Sequence, residues 1–104
     1  MTIKIASVTT LNCSPEHATA FIRYHRAIGI DRMFLFLEDT ATENIVDNDD
    51  PDVITFACTS EHYDEILNGR DKDAVPLDER QAHNTNIALS WARQDGFEFL
   101  LHID

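Results

Sequence analysis

Arg32-Met33-Phe34-Leu35-Phe36-Leu37 is the stretch whose reading decides how this chain folds. Every position after Arg32 is apolar, so an extended segment here has no face that suits water. A sheet with one wet face alternates apolar and polar residues, whereas a run apolar on both faces suits a parallel sheet covered by helices on each side. The upstream segments agree. Ile3 to Leu11 is rich in β-branched residues (Ile3, Ile5, Val8, Thr9, Thr10), as a strand prefers. Asn12-Cys13-Ser14 is the turn, with Ser14 as N-cap, Pro15 at the first helical position and Glu16 favourable against the helix dipole. A helix from Pro15 to about Ile28 sets Ala18, Phe21, Ile22, His25 and Ile28 on one stripe. Gly29 is the expected left-handed stop, with Ile30 folding back on the last turn. Strand, helix and strand make a βαβ unit.

Downstream, the second strand ends at Glu38-Asp39, and Thr40-Ala41-Thr42-Glu43 matches a capping box for a short helix through Ile45-Val46. Asp47-Asn48-Asp49-Asp50-Pro51-Asp52 lacks the Gly and terminal Glu of a calcium loop and reads as a solvated turn. Val53 to Ala57 is a third strand. The polar connection Cys58 to Leu77, with one helical turn at Tyr63-Leu67, has the length of a functional or mobile segment. Asp78 and Gln81 suggest a capping-box start for a helix from Glu79 to Asp95, with Asn84, Ile87, Ala88 and Trp91 on one face. Gly96 closes it, and Phe97-Glu98-Phe99-Leu100-Leu101-His102-Ile103-Asp104 is a last strand with a carboxylate at its tip.

The expected fold is α/β: one domain over residues 1–104, a Rossmann-like half with a mostly parallel sheet of about four strands and helices on both faces. In the common order 3-2-1-4, Cys13 and Cys58 stand about 10 Å apart, too far to bridge, so both are expected as thiols.

A net charge of −11 argues against nucleic acid as a partner, because such binding rests on Lys and Arg at phosphates. It also means that a phosphorylated ligand needs a local basic group or a divalent cation as intermediary. No apolar run reaches the length of a membrane span, and no signal-peptide pattern opens the chain. The expected setting is the cytoplasm or the cytoplasmic face of a membrane.

Of the three glycines, Gly29 and Gly96 are helix stops and Gly69 stands alone, so glycine-cradle and P-loop motifs are absent. His17, His62, His83 and His102 share no metal-ligand spacing. His25 reads as a core or helix-end residue, and Trp91 as core. A diphosphate would then be held through a metal ion on strand-end carboxylates, Asp39 and Asp104, which would flank the first strand at one edge. Strand-end aspartates that merely start turns are the level alternative.

Three stretches carry a resemblance: Thr10-Leu11-Asn12; the helix with Tyr24-His25-Arg26-Ala27-Ile28-Gly29; and Phe34-Leu35-Phe36-Leu37-Glu38-Asp39. With Arg80-Gln81, Asn84, Trp91 and the closing Leu100-Leu101-His102-Ile103-Asp104, they resemble glycosyltransferases of the family 2 and family 92 type, up to the first Asp of the Asp-x-Asp motif. Cys13, Ala20-Phe21 and Leu11 depart from the Glu, Glu-Trp and Lys usual there. The resemblance implies a GT-A fold and sugar transfer from a nucleotide-diphosphate donor to an acceptor hydroxyl, metal-dependent (Mn²⁺ or Mg²⁺) and with inversion. By position, Thr10, Leu11, Asn12, Asp39, Arg80, Gln81 and Asn84 would contact the nucleotide-sugar, and Asp104 would ligate the metal. The second metal-motif carboxylate, acceptor site and catalytic base would belong to sequence beyond Asp104. The chain alone is therefore expected to be inactive and, with one flank of its last strand uncovered, to be marginally stable or to self-associate. The other reading is a non-catalytic α/β nucleotide-binding or interaction module. A receiver-like version would need clustered acids where Thr10-Leu11-Asn12 stands.

Overall fold

A computed structural model of the chain describes residues 3–38 and 50–103. Four strands, β1 (Ile5–Leu11), β2 (Arg32–Leu37), β3 (Val53–Ala57) and β4 (Phe99–His102), form one sheet in the order β3-β2-β1-β4. Every pairing is parallel, with Val8 opposite both Phe34 and His102, and Phe34 opposite Ile54. The α/β class is the one read from the apolar run at β2, and the order is the common 3-2-1-4 arrangement from which the cysteine spacing follows.

Helix α1 (Pro15–Ala27) covers one face and α3 (Leu77–Gln94) the other. The period-two geometry of a strand divides β2 between them. Phe34 and Phe36 join Ala6, Val8, Ala88 and Ala92 beneath α3, while Met33, Leu35 and Leu37 meet Phe21 and Ile22 of α1. All five β2 side chains are fully buried. Each is worth roughly 2–3 kcal/mol of transfer free energy, which explains why this short strand sits near the centre of the sheet.

Ser14, in extended conformation, caps α1 by accepting from the His17 N–H at 3.3 Å, with Pro15 next. Two glycines stop the helices by one mechanism. Gly29 (φ 110°) and Gly96 (φ 77°) place the following residue's N–H on a carbonyl of the last turn: Ile30 to His25 at 3.1 Å, Phe97 to Ala92 at 2.9 Å. Each stop turns the chain straight into the next strand. Between β3 and α3 lie a short helix α2 (Asp64–Leu67) and a 3₁₀ turn at Lys72–Ala74.

Several expectations need correction. Ile3 is exposed and unpaired in the sheet, which begins at Ile5, and Ile28 is exposed rather than on the apolar stripe. Helix α3 starts at Leu77 with extended Pro76 at the cap position, so no capping box forms; Asp78 instead accepts from the adjacent Glu79 N–H. Trp91 is half-exposed, edge-on to Phe56, and Ala92 takes the core position one residue on. Strand β4 spans four residues rather than eight, and Phe99 and Leu101 are exposed because α1 does not extend over them. The expected helix through Ile45-Val46 lies outside the described residues.

The opposite ends of the strands hold a set of ion pairs. Arg26 meets Asp50 (2.9 Å) and Asp52 (3.7 Å), and Arg32 bridges Asp52 and Asp95. The expected solvated turn is thus tethered at Asp50 and Asp52. The Asp52 backbone N–H, ahead of the Arg26 guanidinium, holds the Asp50 carboxyl below its usual range. These partly exposed pairs border a cavity of about 320 Å³ at the N-terminal edge of the sheet.

Candidate functional site

At the C-terminal ends of β1 and β2, polar side chains converge on a single buried carboxylate. Glu38 directly follows β2, and its backbone N–H continues the sheet by donating to the Leu11 carbonyl at 2.7 Å. Its side chain is only 4% exposed, an expensive place for a charge unless it is paired. Three donors surround it. Oε1 accepts from Arg80 Nη1 at 2.7 Å and from the Tyr63 hydroxyl at 3.1 Å, and Lys72 Nζ stands 3.8 Å from Oε2.

A second set of bonds ties this hub to β1. Asn84 is fully buried on α3, and its Nδ2 donates to Thr10 Oγ1 at 2.9 Å and to the Tyr63 hydroxyl at 3.1 Å. Its Oδ1 is then an acceptor, so His62, 2.6 Å away, carries its proton on Nε2. His83 Nε2 donates to the His62 carbonyl at 2.9 Å, and the two rings cross edge-on at 5.2 Å. Lys72 Nζ donates to the Cys58 carbonyl at 3.0 Å. The irregular connection is thereby fastened to the end of β2 and to α3, and polar groups compensate for its lack of regular structure.

The electrostatics disfavour nucleophilic chemistry at this cluster. Burial pushes the Cys58 thiol up to about 11, and burial followed by the hydrogen bond with Cys58 pushes the Tyr63 hydroxyl up as well. Both are therefore neutral near pH 7, Cys58 as a thiol and Tyr63 as a donor to Glu38. No disulfide joins Cys13 and Cys58.

Of the residues singled out in the sequence, Thr10, Arg80 and Asn84 come together around Glu38 and Tyr63. Leu11 packs into the α1-side core, and Asn12 is exposed in the turn after β1. Gln81 lines a separate open cavity of about 350 Å³ with Asp78, Ala82, Thr85, Asn86 and His102. His25 is a helix-end residue, with Nδ1 2.8 Å from the Phe21 carbonyl. Asp39 and Asp104 lie outside the described residues; their described neighbours Glu38 and Ile103 both bond to β1, at Leu11 and Val8 respectively. Among the described residues, no group of three or more His, Cys, Asp or Glu side chains could hold a metal ion. No described helix is long and apolar enough to cross a membrane.

Sequence reasoning missed Glu38, Tyr63, Lys72 and His62 as a group. Two signals bore on them: Glu38 is the first charge after an unbroken apolar run, and Lys72 is the only lysine of the long connection.

Comparison of the chain with protein-family models, with curated proteins and with solved structures gave no match.

Proposed function

We propose that this chain binds a nucleotide-diphosphate sugar and forms the donor-binding part of a metal-dependent glycosyltransferase. The observation that supports this reading is the convergence of Thr10, Glu38, Arg80 and Asn84 beyond the carboxyl ends of β1 and β2. Crevices at that edge are where parallel α/β sheets take their ligands. Arg80 and Asn84 were chosen from sequence by their likeness to the donor segment of family 2 and family 92 enzymes, and the fold brings both to this edge.

In the proposed reaction, an acceptor hydroxyl oxygen forms a bond to the anomeric carbon as the bond from that carbon to the diphosphate breaks, with inversion. The hydroxyl proton passes to a base that is not among the residues assigned here. A divalent cation, with Asp104 among its ligands, would supply neutralisation of the charge that develops on the departing diphosphate. This chain's own part is to hold the donor: Asn84 and Thr10 present fixed polar atoms, and Arg80 brings a cation to the cleft. A cytoplasmic setting belongs to the same proposal and is consistent with two cysteines that are not joined in a disulfide.

Calorimetric titration with UDP-sugars and GDP-sugars, with and without Mn²⁺, tests the reading. Saturable binding to one nucleotide class, strengthened by Mn²⁺, is expected. Absence of binding to either class under both conditions would overturn it and favour a non-catalytic interaction module.

A further inference from the structure

Within a chain of net charge −11, the interior around Glu38 has the opposite balance. Lys72 and Arg80, whose side chains are 22% and 18% exposed, both face this one carboxylate. Among the described residues, the cluster therefore sets two cations against one anion. Keeping such a set out of water is costly, and hydrophobic side chains of similar volume would often be as stable or more so.

The pairing is also incomplete. Among the described residues, Glu38 Oε2 accepts no hydrogen bond, with Lys72 Nζ at 3.8 Å, too long for one. Arg80 uses Nη1 on Glu38, while its buried Nε has no partner among the described residues. Lys72 spends one donor on the Cys58 carbonyl, and an ammonium has three. Among the described residues, donor capacity and positive charge both exceed the acceptors that face them. The location adds a further constraint: Arg80 lies in the first turn of the long helix α3, whose N-terminus carries a partial positive charge toward the same edge.

We infer that Lys72 and Arg80 form an anion site for a phosphoryl group, with Glu38 as the built-in counter-ion that holds the two cations in place until the ligand arrives. The inference rests on the donor-binding reading for its physiological ligand, the diphosphate of a nucleotide-sugar, but its chemistry is that of any pyrophosphate. It assigns a role to the connection between β3 and α3, which supplies Lys72. It also answers the difficulty raised by the composition, because the local basic group that an acidic protein needs is then part of the chain itself. Glu38 is a positioning residue in this arrangement and does not touch the ligand.

The test uses the whole chain and inorganic pyrophosphate in EDTA, followed by calorimetry and by ¹H–¹⁵N spectra. Saturable binding is expected, with the largest shifts at Lys72, Arg80 and their neighbours. Lys72→Gln should weaken it by about tenfold, the loss of one charge-assisted contact. Lys72→Arg should retain most of it, and Lys4→Gln at the far edge should change nothing. Glu38→Gln, read alongside its thermal melt, should bind pyrophosphate at least as tightly as the parent. No saturable binding in EDTA, or equal affinity for the parent and a folded Lys72→Gln chain, overturns the site. The arms separate the two proposals. Pyrophosphate binding that UDP-sugars and GDP-sugars do not improve upon keeps the anion site and removes the sugar-donor reading. Mn²⁺-dependent nucleotide-sugar binding untouched by Lys72→Gln does the reverse.

Discussion

Arg80 Nη1 donates to Glu38 Oε1 at 2.7 Å, joining the first turn of α3 to the end of β2 across 42 positions of sequence. The two side chains are mostly buried, so solvent screens the pair weakly, and removing either partner strands a charge. Arg80→Met should lower unfolding free energy by about 3 kcal/mol, read as a fall in the urea midpoint at unchanged slope. The double variant Glu38→Leu/Arg80→Met should recover part of that loss, since the deeply buried carboxylate goes with the guanidinium and only the more exposed Lys72 loses its counter-charge. Strict additivity of the two single changes would count against the pairing.

Asn84 holds a different kind of junction. It meets β1, the connection and His62 at once, through Thr10, Tyr63 and the imidazole. Asn84→Ala leaves those partners facing a void, and a cost of about 2–3 kcal/mol is expected from the unsatisfied groups. Asn84→Asp should be nearly as harmful despite its equal size, because a carboxylate cannot donate to Thr10 or Tyr63. Thermal melts compare the two. A slowly exchanging His62 Nε2–H signal should be present in the parent, lost in Asn84→Ala and kept in Asn84→Asp, whose carboxylate still accepts from the imidazole.

How much of this was legible in the sequence depends on where the information lies. Met33 to Leu37 announced a doubly covered parallel strand because burial on both faces leaves no polar position, and Gly29 and Gly96 announced helix stops because left-handed backbone excludes most other residues. Those are local signals. The grouping of Glu38, Tyr63 and Lys72 has no local signal, since residues of an aperiodic connection meet the end of β2 only once the sheet has formed. Arg80 and Asn84 were found through likeness to a family rather than through spacing. Phe99 and Leu101 read only as part of a last strand with one uncovered flank, and both are exposed.

Cys58 couples the same region to alkaline pH. Burial raises its thiol from the ordinary 9.0 to about 11, so the folded chain keeps a proton that the unfolded chain has begun to lose. The associated stability is fully present below pH 9 and disappears as pH climbs toward 11. It amounts to on the order of 2 kcal/mol, and the raised Tyr63 hydroxyl acts in the same sense at higher pH. Urea midpoints measured across that interval should fall for the parent and fall less for Cys58→Ala. In native buffer, iodoacetamide should label half-buried Cys13 well before Cys58.

Strand β4 is the remaining point of exposure. It pairs with β1 on one side, no described strand lies on its other side, and Phe99 and Leu101 are 53% and 44% exposed on one face. An edge strand with exposed apolar side chains is a template for another strand, and the residues Phe99–His102 carry no acidic or Lys/Arg charge to discourage it. Sedimentation velocity should therefore show association that grows with protein concentration and survives moderate salt, as apolar contact does and charge pairing does not. Leu101→Lys places a charge on that face without touching the core beneath α3, and it should return the chain to monomer while leaving its melting temperature within a few degrees. A parent chain that stays monomeric at every concentration would mean that Glu98 and the overall negative charge already suffice to keep the edge apart.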